Sequence, residues 1–202
     1  MNPSGATRGG VLFLVVGPSG VGKDTLLAGA RLQLPATHHF ARRVITRPAD
    51  AGGEDHMAVD ETAFAAMAGA GAFALHWSAH GLRYGILRSD TGRLAEGTHV
   101  VANVSRATVA HARIGFPRLR VVHVTASRTT LRERLRQRGR ETSDEIESRL
   151  VRAAADAPTG ADVLTVRNDG TIEEALARFI EALKTPHAAE CPNLQPATSP
   201  KG

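Results

Sequence analysis

Between Gly17 and Leu26 the chain reads GPSGVGKDTL, with Gly17, Gly22 and Lys23 at the spacing GxxxxGK(S/T), a pattern that wraps backbone around a polyphosphate. Glycines permit a close approach to phosphate oxygens. The loop amides and the start of a following helix aim positive dipoles at them, and Lys23 adds a mobile charge for the β- and γ-phosphates of a nucleotide. Gly17, Pro18, Ser19, Gly20, Val21, Gly22, Lys23, Asp24 and Thr25 are therefore the candidate nucleotide-binding residues. Ser19 has no visible base to activate it, so it is read as a loop residue rather than a nucleophile. Asp24 stands where the pattern has a hydroxyl, and two readings stay open. Its carboxylate holds Mg²⁺, directly or through water, or it simply favours the positive end of the helix. Thr25 offers a hydroxyl one position further round.

Two arginine-rich segments could carry the rest of a phosphate chemistry. In FARRVITRPADAGGEDHMAVDE, Arg43 and Arg47 fall on one face of a strand, beside Glu54 and His56. Guanidinium groups suit phosphate oxygens, with a solvated basic edge as the plain alternative. In TLRERLRQRGRETSDEIESRLVRA, many arginines alternate with glutamates able to pair at helical spacing. Arg138 and Arg140 flank Gly139 between two helical stretches, where a mobile lid could neutralise a transferring phosphoryl group.

Strands and helices must position these groups. Val11–Val16 is a continuous apolar run ended by a glycine, as for a strand covered on both faces of a parallel sheet. HVVANV (99–104), LRVVHVTA (119–126) and ADVLTV (161–166) read the same way, and RRVIT (42–46) as a fourth short strand beside the first. Helical patterns alternate with them, predicting a parallel α/β sheet. Thr142 with Glu145 and Thr171 with Glu174 have capping-box spacing, and Ser127 can cap a helix that stops near Gly139.

With 202 residues, 42% hydrophobic and 22% charged, the chain fits one globular domain with room for a small inserted lid. We read residues 1–9 and 185–202 as frayed ends, and 10–184 as one continuous domain. The longest apolar run is too short for a bilayer, so the expectation is a cytoplasmic protein without a membrane partner. The net charge of +5 suits nucleic acid or phosphorylated metabolites, and only 4% aromatics argues for the metabolites. HWSAH (76–80) lacks the glutamate of a zinc-protease helix, and no zinc is expected. The sequence sets no oligomeric state.

GPSGVGKD, VITRPADAGGEDH, RYG (83–85), LRERLRQRGR and RNDGTIEEA together resemble the guanylate kinase superfamily. More narrowly, GKD, ITRP with GGEDH, FALHWSAHGLRYG and NVSR resemble the ribose 1,5-bisphosphate phosphokinases of phosphonate degradation. The resemblance implies a three-layer P-loop fold, nucleoside monophosphate kinase-like, with a parallel sheet of about five strands, an acceptor-binding segment at about 42–90 and a helical lid at about 136–152. It implies ATP and Mg²⁺ as cofactors and a small phosphorylated sugar as acceptor. By motif, Gly17 to Asp24 would bind ATP phosphates, with Lys23, Arg138 and Arg140 as the catalytic cations. Asn168 would lie near the adenine side, and Arg43, Arg47, Glu54, His56 and Tyr84 would line the acceptor pocket. Guanylate kinases carry a glutamate that helps to read guanine where this chain has Leu75, and an acidic strand end where it reads NVSRA (103–107). An apolar residue cannot replace a base-reading polar group without losing discrimination, which disfavours GMP as acceptor. Besides GMP phosphorylation, a non-catalytic protein-binding module is the alternative from another class, and the intact loop argues against it.

Overall fold

A computed structural model describes residues 9–49, 54–139, 142–155 and 157–185. The expected end segments lie outside it except for Gly9 and Thr185, as do residues 50–53, Arg140 and the side chain of Arg138. In chain order the elements are β1 (Leu12–Val16), α1 (Lys23–Gln33), β2 (His38–Phe40), β3 (Arg43–Ile45), β4 (His56–Ala58), α2 (Glu61–Gly69), β5 (Phe73–Ala79) and β6 (Leu82–Leu87). There follow α3 (Arg88–Gly92), β7 (His99–Asn103), α4 (Val109–Gly115), β8 (Leu119–Thr125), α5 (Arg128–Arg138), α6 (Ser143–Ala155), β9 (Val163–Arg167) and α7 (Ile172–Lys184).

β1 is buried throughout, and its side chains alternate. Phe13 and Val15 enter a cluster with Leu26 and Ala30 of α1, Leu131 and Leu135 of α5, and Phe179 of α7. Leu12, Leu14 and Val16 enter another, with Leu75 of β5, Ile86 of β6 and Ala112 of α4. Covering both faces is what removes polar residues from the run. β1 is the middle of a five-stranded sheet ordered β2-β7-β1-β8-β9, all parallel. The expected α/β layers with a five-stranded parallel sheet are present.

One expectation is corrected. RRVIT does not lie beside the first strand: β3 belongs to a second sheet, ordered β4-β3-β6-β5, and β2 takes the edge of the main one. Val44 is buried, as the sequence suggested, but against Phe64 and Phe73 rather than against the main core. β2 is three half-buried residues, HHF, too short and too polar to show a period.

The caps are as read. Ser127 Oγ accepts the amide of Thr130 at 3.1 Å, and Gly139 closes α5 at φ +64°. Thr171 Oγ1 accepts the amide of Glu174 at 3.3 Å. Thr142 and Glu145 cap each other reciprocally, at 2.7 and 3.4 Å. A cap is worth about 1 kcal/mol, whereas burying Phe179 or Leu183 contributes roughly 1.5–3 kcal/mol each, so the apolar stripe anchors α7. The arginines of α5 pair differently from the helical spacing expected: Arg128 and Arg132 both reach Glu147 of α6, at 2.5 and 2.7 Å. Their hydrogen bonds hold the Glu147 carboxyl down at about 2 and tie the two helices together. No helix among the described residues is long and apolar enough to cross a membrane.

Candidate functional site

The loop leaves β1 at Gly17, where φ is +153° and a Cβ would stand 2.2 Å from the carbonyl oxygen of Val124. Gly22, at φ +93°, would put a Cβ 2.6 Å from Asn168 Nδ2. Only glycine fits either place. α1 begins at Lys23, so its unpaired first-turn amides open on the loop. Lys23 Nζ donates to the carbonyl oxygens of Gly17 at 2.7 Å and Pro18 at 3.0 Å. Burial lowers its pKa to about 8, with Arg43 and Arg106 acting in the same direction against Asp24 and Glu54.

That value predicts a pH dependence. The free protein loses the Lys23 cation as pH rises through about 8, so kcat/KM for a nucleoside triphosphate should fall roughly tenfold per unit above it. A bound polyanion favours the charged ammonium, so kcat at saturation should hold to higher pH. Initial-rate profiles of the two parameters check this; a shared limb, or no limb in kcat/KM up to about pH 10, would count against it.

Asn168 is 2% exposed and braces the back of the loop, donating from Nδ2 to the Val21 carbonyl at 2.7 Å. Arg134 Nη1 reaches the same oxygen at 3.3 Å. Both residues, with Thr25 and Ile172, line a cavity of about 500 Å³ behind the loop. Asn168 Oδ1 is buried there without a partner.

On the other side of Lys23 a cavity of about 520 Å³ brings together Asp24, Arg43, Arg47, Glu54 and Tyr84 from the expected set. Arg43 donates Nε to Glu54 Oε2 at 2.6 Å and Nη2 to Oε1. Arg47 Nε is buried without a partner. His56 is not on the cavity wall. It is 5% exposed, with Nδ1 3.0 Å from the Glu54 carbonyl oxygen and Nε2 3.2 Å from that of Arg47, and so ties together the two turns that carry the ligand side chains.

Three residues complete the wall that residue-by-residue reading did not single out. Asn103, 7% exposed at the end of β7, donates Nδ2 to Asp24 Oδ1 at 3.2 Å, and its own Oδ1 is buried without a partner. Arg106 follows it, and Arg149 approaches from α6. The NVSR motif signalled the first two. Nothing in the sequence separates Arg149 from its neighbours on the helix. Arg138 and Arg140, expected as lid cations, lie outside the described side chains. Among the described lining residues, five cations (Lys23, Arg43, Arg47, Arg106, Arg149) face two carboxylates (Asp24, Glu54). That balance suits a ligand with several phosphates.

Leu75, which the resemblance sets where guanylate kinases have a glutamate, is 1% exposed in the apolar core and has Trp77 packed against its cluster. Leu75 does not line the cavity, and it offers a base edge no polar group.

Residues 10–185 match the profile of a family described as guanylate kinase. The chain is 46% identical over 184 residues to ribose 1,5-bisphosphate phosphokinase PhnN of Rhizobium etli, covering 90% of this chain and 93% of that protein. It is 47% identical over 176 residues to the bifunctional ribose 1,5-bisphosphokinase-thymidine phosphorylase of Cupriavidus necator, covering 87% of this chain and 29% of that protein. The chain thus spans less than a third of that bifunctional relative. The crystal structure of guanylate kinase from Anaplasma phagocytophilum superposes with a TM-score of 0.63 at 19% identity, covering 88% of this chain and 86% of that one. That likeness concerns the fold.

Proposed function

The chain belongs to the guanylate kinase family, and we propose that it transfers the γ-phosphoryl group of ATP to the 1-phosphate of ribose 1,5-bisphosphate. The products are ADP and 5-phosphoribosyl 1-diphosphate, in a route of phosphonate breakdown. The observation that carries this reading is one cavity in which Lys23 of the loop faces Arg43 and Arg47. The identity to a named ribose 1,5-bisphosphate phosphokinase along nearly the whole chain supports it.

An oxygen of the 1-phosphate attacks the γ-phosphorus. One P–O bond forms, the bond to the β-bridging oxygen breaks, and its electron pair leaves on ADP. A phosphate monoester has its second pKa near ~6, so the attacking oxygen needs no protein base. The barrier is the approach of two polyanions, and the protein lowers it by charge and alignment. In this reading Gly17 to Thr25 cradle the donor phosphates, Lys23 holds the β- and γ-oxygens, and Asn168 lies towards the adenine. Arg43, Arg47 and Tyr84 hold the acceptor within a segment at about 42–90. His56 supports them from behind. The stretch 136–152 acts as the lid, with Arg138 and Arg140 as its cations and Arg149 closing on the same cavity.

Magnesium fits the donor set through two hard oxygens at the mouth of the loop, the Asp24 carboxylate and the orphaned Asn103 Oδ1. No group of three or more His, Cys, Asp or Glu among the described residues could hold a metal alone. Asp24 and Asn103 would hold such an ion together with phosphate oxygens and water. When bound it neutralises charge on the phosphates. Asp24→Ala should therefore raise the Mg²⁺ concentration for half-maximal rate about tenfold, and Asp24→Ser less. Titration of the ADP complex with Mn²⁺, followed by electron paramagnetic resonance, should show the same weakening. Unchanged metal dependence in both variants would leave Asp24 as a helix-end charge.

The reaction itself is tested by incubating the protein with Mg-ATP and ribose 1,5-bisphosphate and following phosphorus resonances, with GMP as a parallel acceptor. New diphosphate resonances from the sugar are expected, and little GDP. A folded sample that makes GDP and no sugar diphosphate would overturn the proposal.

A further inference from the structure

The chain has one tryptophan and one tyrosine, and they lie on each other in the acceptor half of the cavity. Trp77 of β5 and Tyr84 of β6 face each other across the antiparallel hairpin, with ring centres 5.4 Å apart and planes 7° apart. Arg43 adds a third layer, its guanidinium carbon 5.3 Å from the Tyr84 ring centre. Tyr84 is left 9% exposed.

A guanidinium group has five N–H donors. Glu54 takes the Nε edge of Arg43, one hydrogen from Nε and one from Nη2. What remains is the Nη1/Nη2 edge, the fork that pairs with two oxygens of a phosphate. The tyrosine face restrains one degree of freedom, the tilt of the guanidinium plane. Glu54 restrains another, rotation within that plane. Neither restraint works if the tyrosine ring itself can tip, and the indole of Trp77, packed against the cluster of Leu75 and Ile86, is what backs it.

We infer that Trp77 is a positioning residue for acceptor binding: through Tyr84 it holds the Arg43 guanidinium so that its free fork meets a phosphate of the acceptor. This deepens the proposed function and rests on that reading of the acceptor side. Trp77 acts without touching phosphate, and the restraint is spent on the acceptor, not on ATP.

Trp77→Leu keeps an apolar side chain but removes the flat backing. It should raise the acceptor KM about tenfold while kcat and the ATP KM stay within about twofold, and Trp77→Phe should restore the acceptor KM to within about threefold. Arg43→Lys leaves the aromatic pair in place and removes the planar fork, and should also raise the acceptor KM about tenfold. Because Trp77 is the only indole, its emission should change on adding ribose 1,5-bisphosphate. The titration midpoint should shift about tenfold in Arg43→Lys.

An unchanged acceptor KM in Trp77→Leu or in Arg43→Lys overturns the inference, as does a phenylalanine variant no better than leucine, or an ATP KM that rises in parallel. If Trp77→Leu fails to fold, Arg43→Lys and Trp77→Phe decide. If the unmodified protein does not turn over ribose 1,5-bisphosphate, the functional proposal fails separately. The stack is then judged by calorimetric binding of ribose 5-phosphate with the loop filled by a non-hydrolysable ATP analogue. No binding to the unmodified protein, or equal binding to Trp77→Leu, overturns it.

Discussion

Replacing Lys23 by alanine is expected to lower kcat/KM for ATP by about 10²–10³-fold without lowering the unfolding temperature. The two halves of this expectation have one cause. The Lys23 ammonium is held by the loop's own carbonyls in surroundings that bring its pKa to about 8, below the ordinary 10.5. The folded state therefore disfavours the charged form. Between about pH 8 and 10.5 the unfolded chain binds more protons than the folded one, so stability rises with pH through that window. At neutral pH the charge is held at a net cost to the fold, and its removal relieves that cost. The polyphosphate, by contrast, loses its nearest mobile cation. Steady-state kinetics and thermal melts on the same preparations check both halves. A variant that keeps its turnover would dismiss Lys23 as the reaction's cation, and a variant that melts much earlier would make it a structural residue. An unmodified protein with no turnover to lose would match the non-catalytic protein-binding module.

The features legible in the sequence are those set by local chemistry. Gly17 and Gly22 take positive φ within the loop itself, and Ser127, Thr142 and Thr171 cap helices by accepting amides three residues away. β1 announces itself because two covered faces leave no polar residue in the run, and β7 and β8 through their Val-rich centres, although they also bury Asn103, Arg120 and His123. The place of β3 in the second sheet was hidden because its pairing with β6 is distant: Val44 with Gly85 and Ile45 with Tyr84 join residues about forty apart, and no local pattern fixes that register. β2 owes its place at the sheet edge to β7 rather than to a pattern of its own.

The site divides in the same way. Arg43 and Arg47 were expected on one face of a single strand; they do line one cavity, but β3 ends at Ile45 and Arg47 reaches it from the bend that follows. The resemblance placed His56 there too, whereas it is buried in β4, paired with β3. Among the arginines of α5 and α6, composition cannot tell which face the phosphates. That depends on how the helices are rotated, and Glu147 fixes this by drawing Arg128 and Arg132 across the gap while Arg149 reaches the cavity.

The other large effect is expected at Arg43. Arg43→Ala should cut kcat/KM for the acceptor by about 10³-fold, and more deeply than Arg47→Ala. Removing Arg43 does two things at once. It takes away a cation, and it uncovers Glu54, whose side chain is 17% exposed and whose hydrogen-bonding partner is Arg43. An unpaired carboxylate then faces an incoming dianion in a cavity where like charges are poorly screened. Adding Glu54→Gln to Arg43→Ala should therefore recover about tenfold of the loss, although it removes a second native residue. Stability should follow the same order: breaking a half-buried pair from one side costs on the order of 2 kcal/mol, and the double variant should melt above the single one. A double variant no faster than Arg43→Ala would separate Glu54 from the acceptor, and a matching rise in the ATP KM would deny the pair its place on the acceptor side. Glu54→Gln alone should be harmful, because the neutral amide no longer holds the Nε edge and the fork loses its direction. The same carboxylate thus orients the acceptor's arginine when Arg43 is present and repels the acceptor when it is absent. That reversal of sign is what the four kinetic measurements would detect.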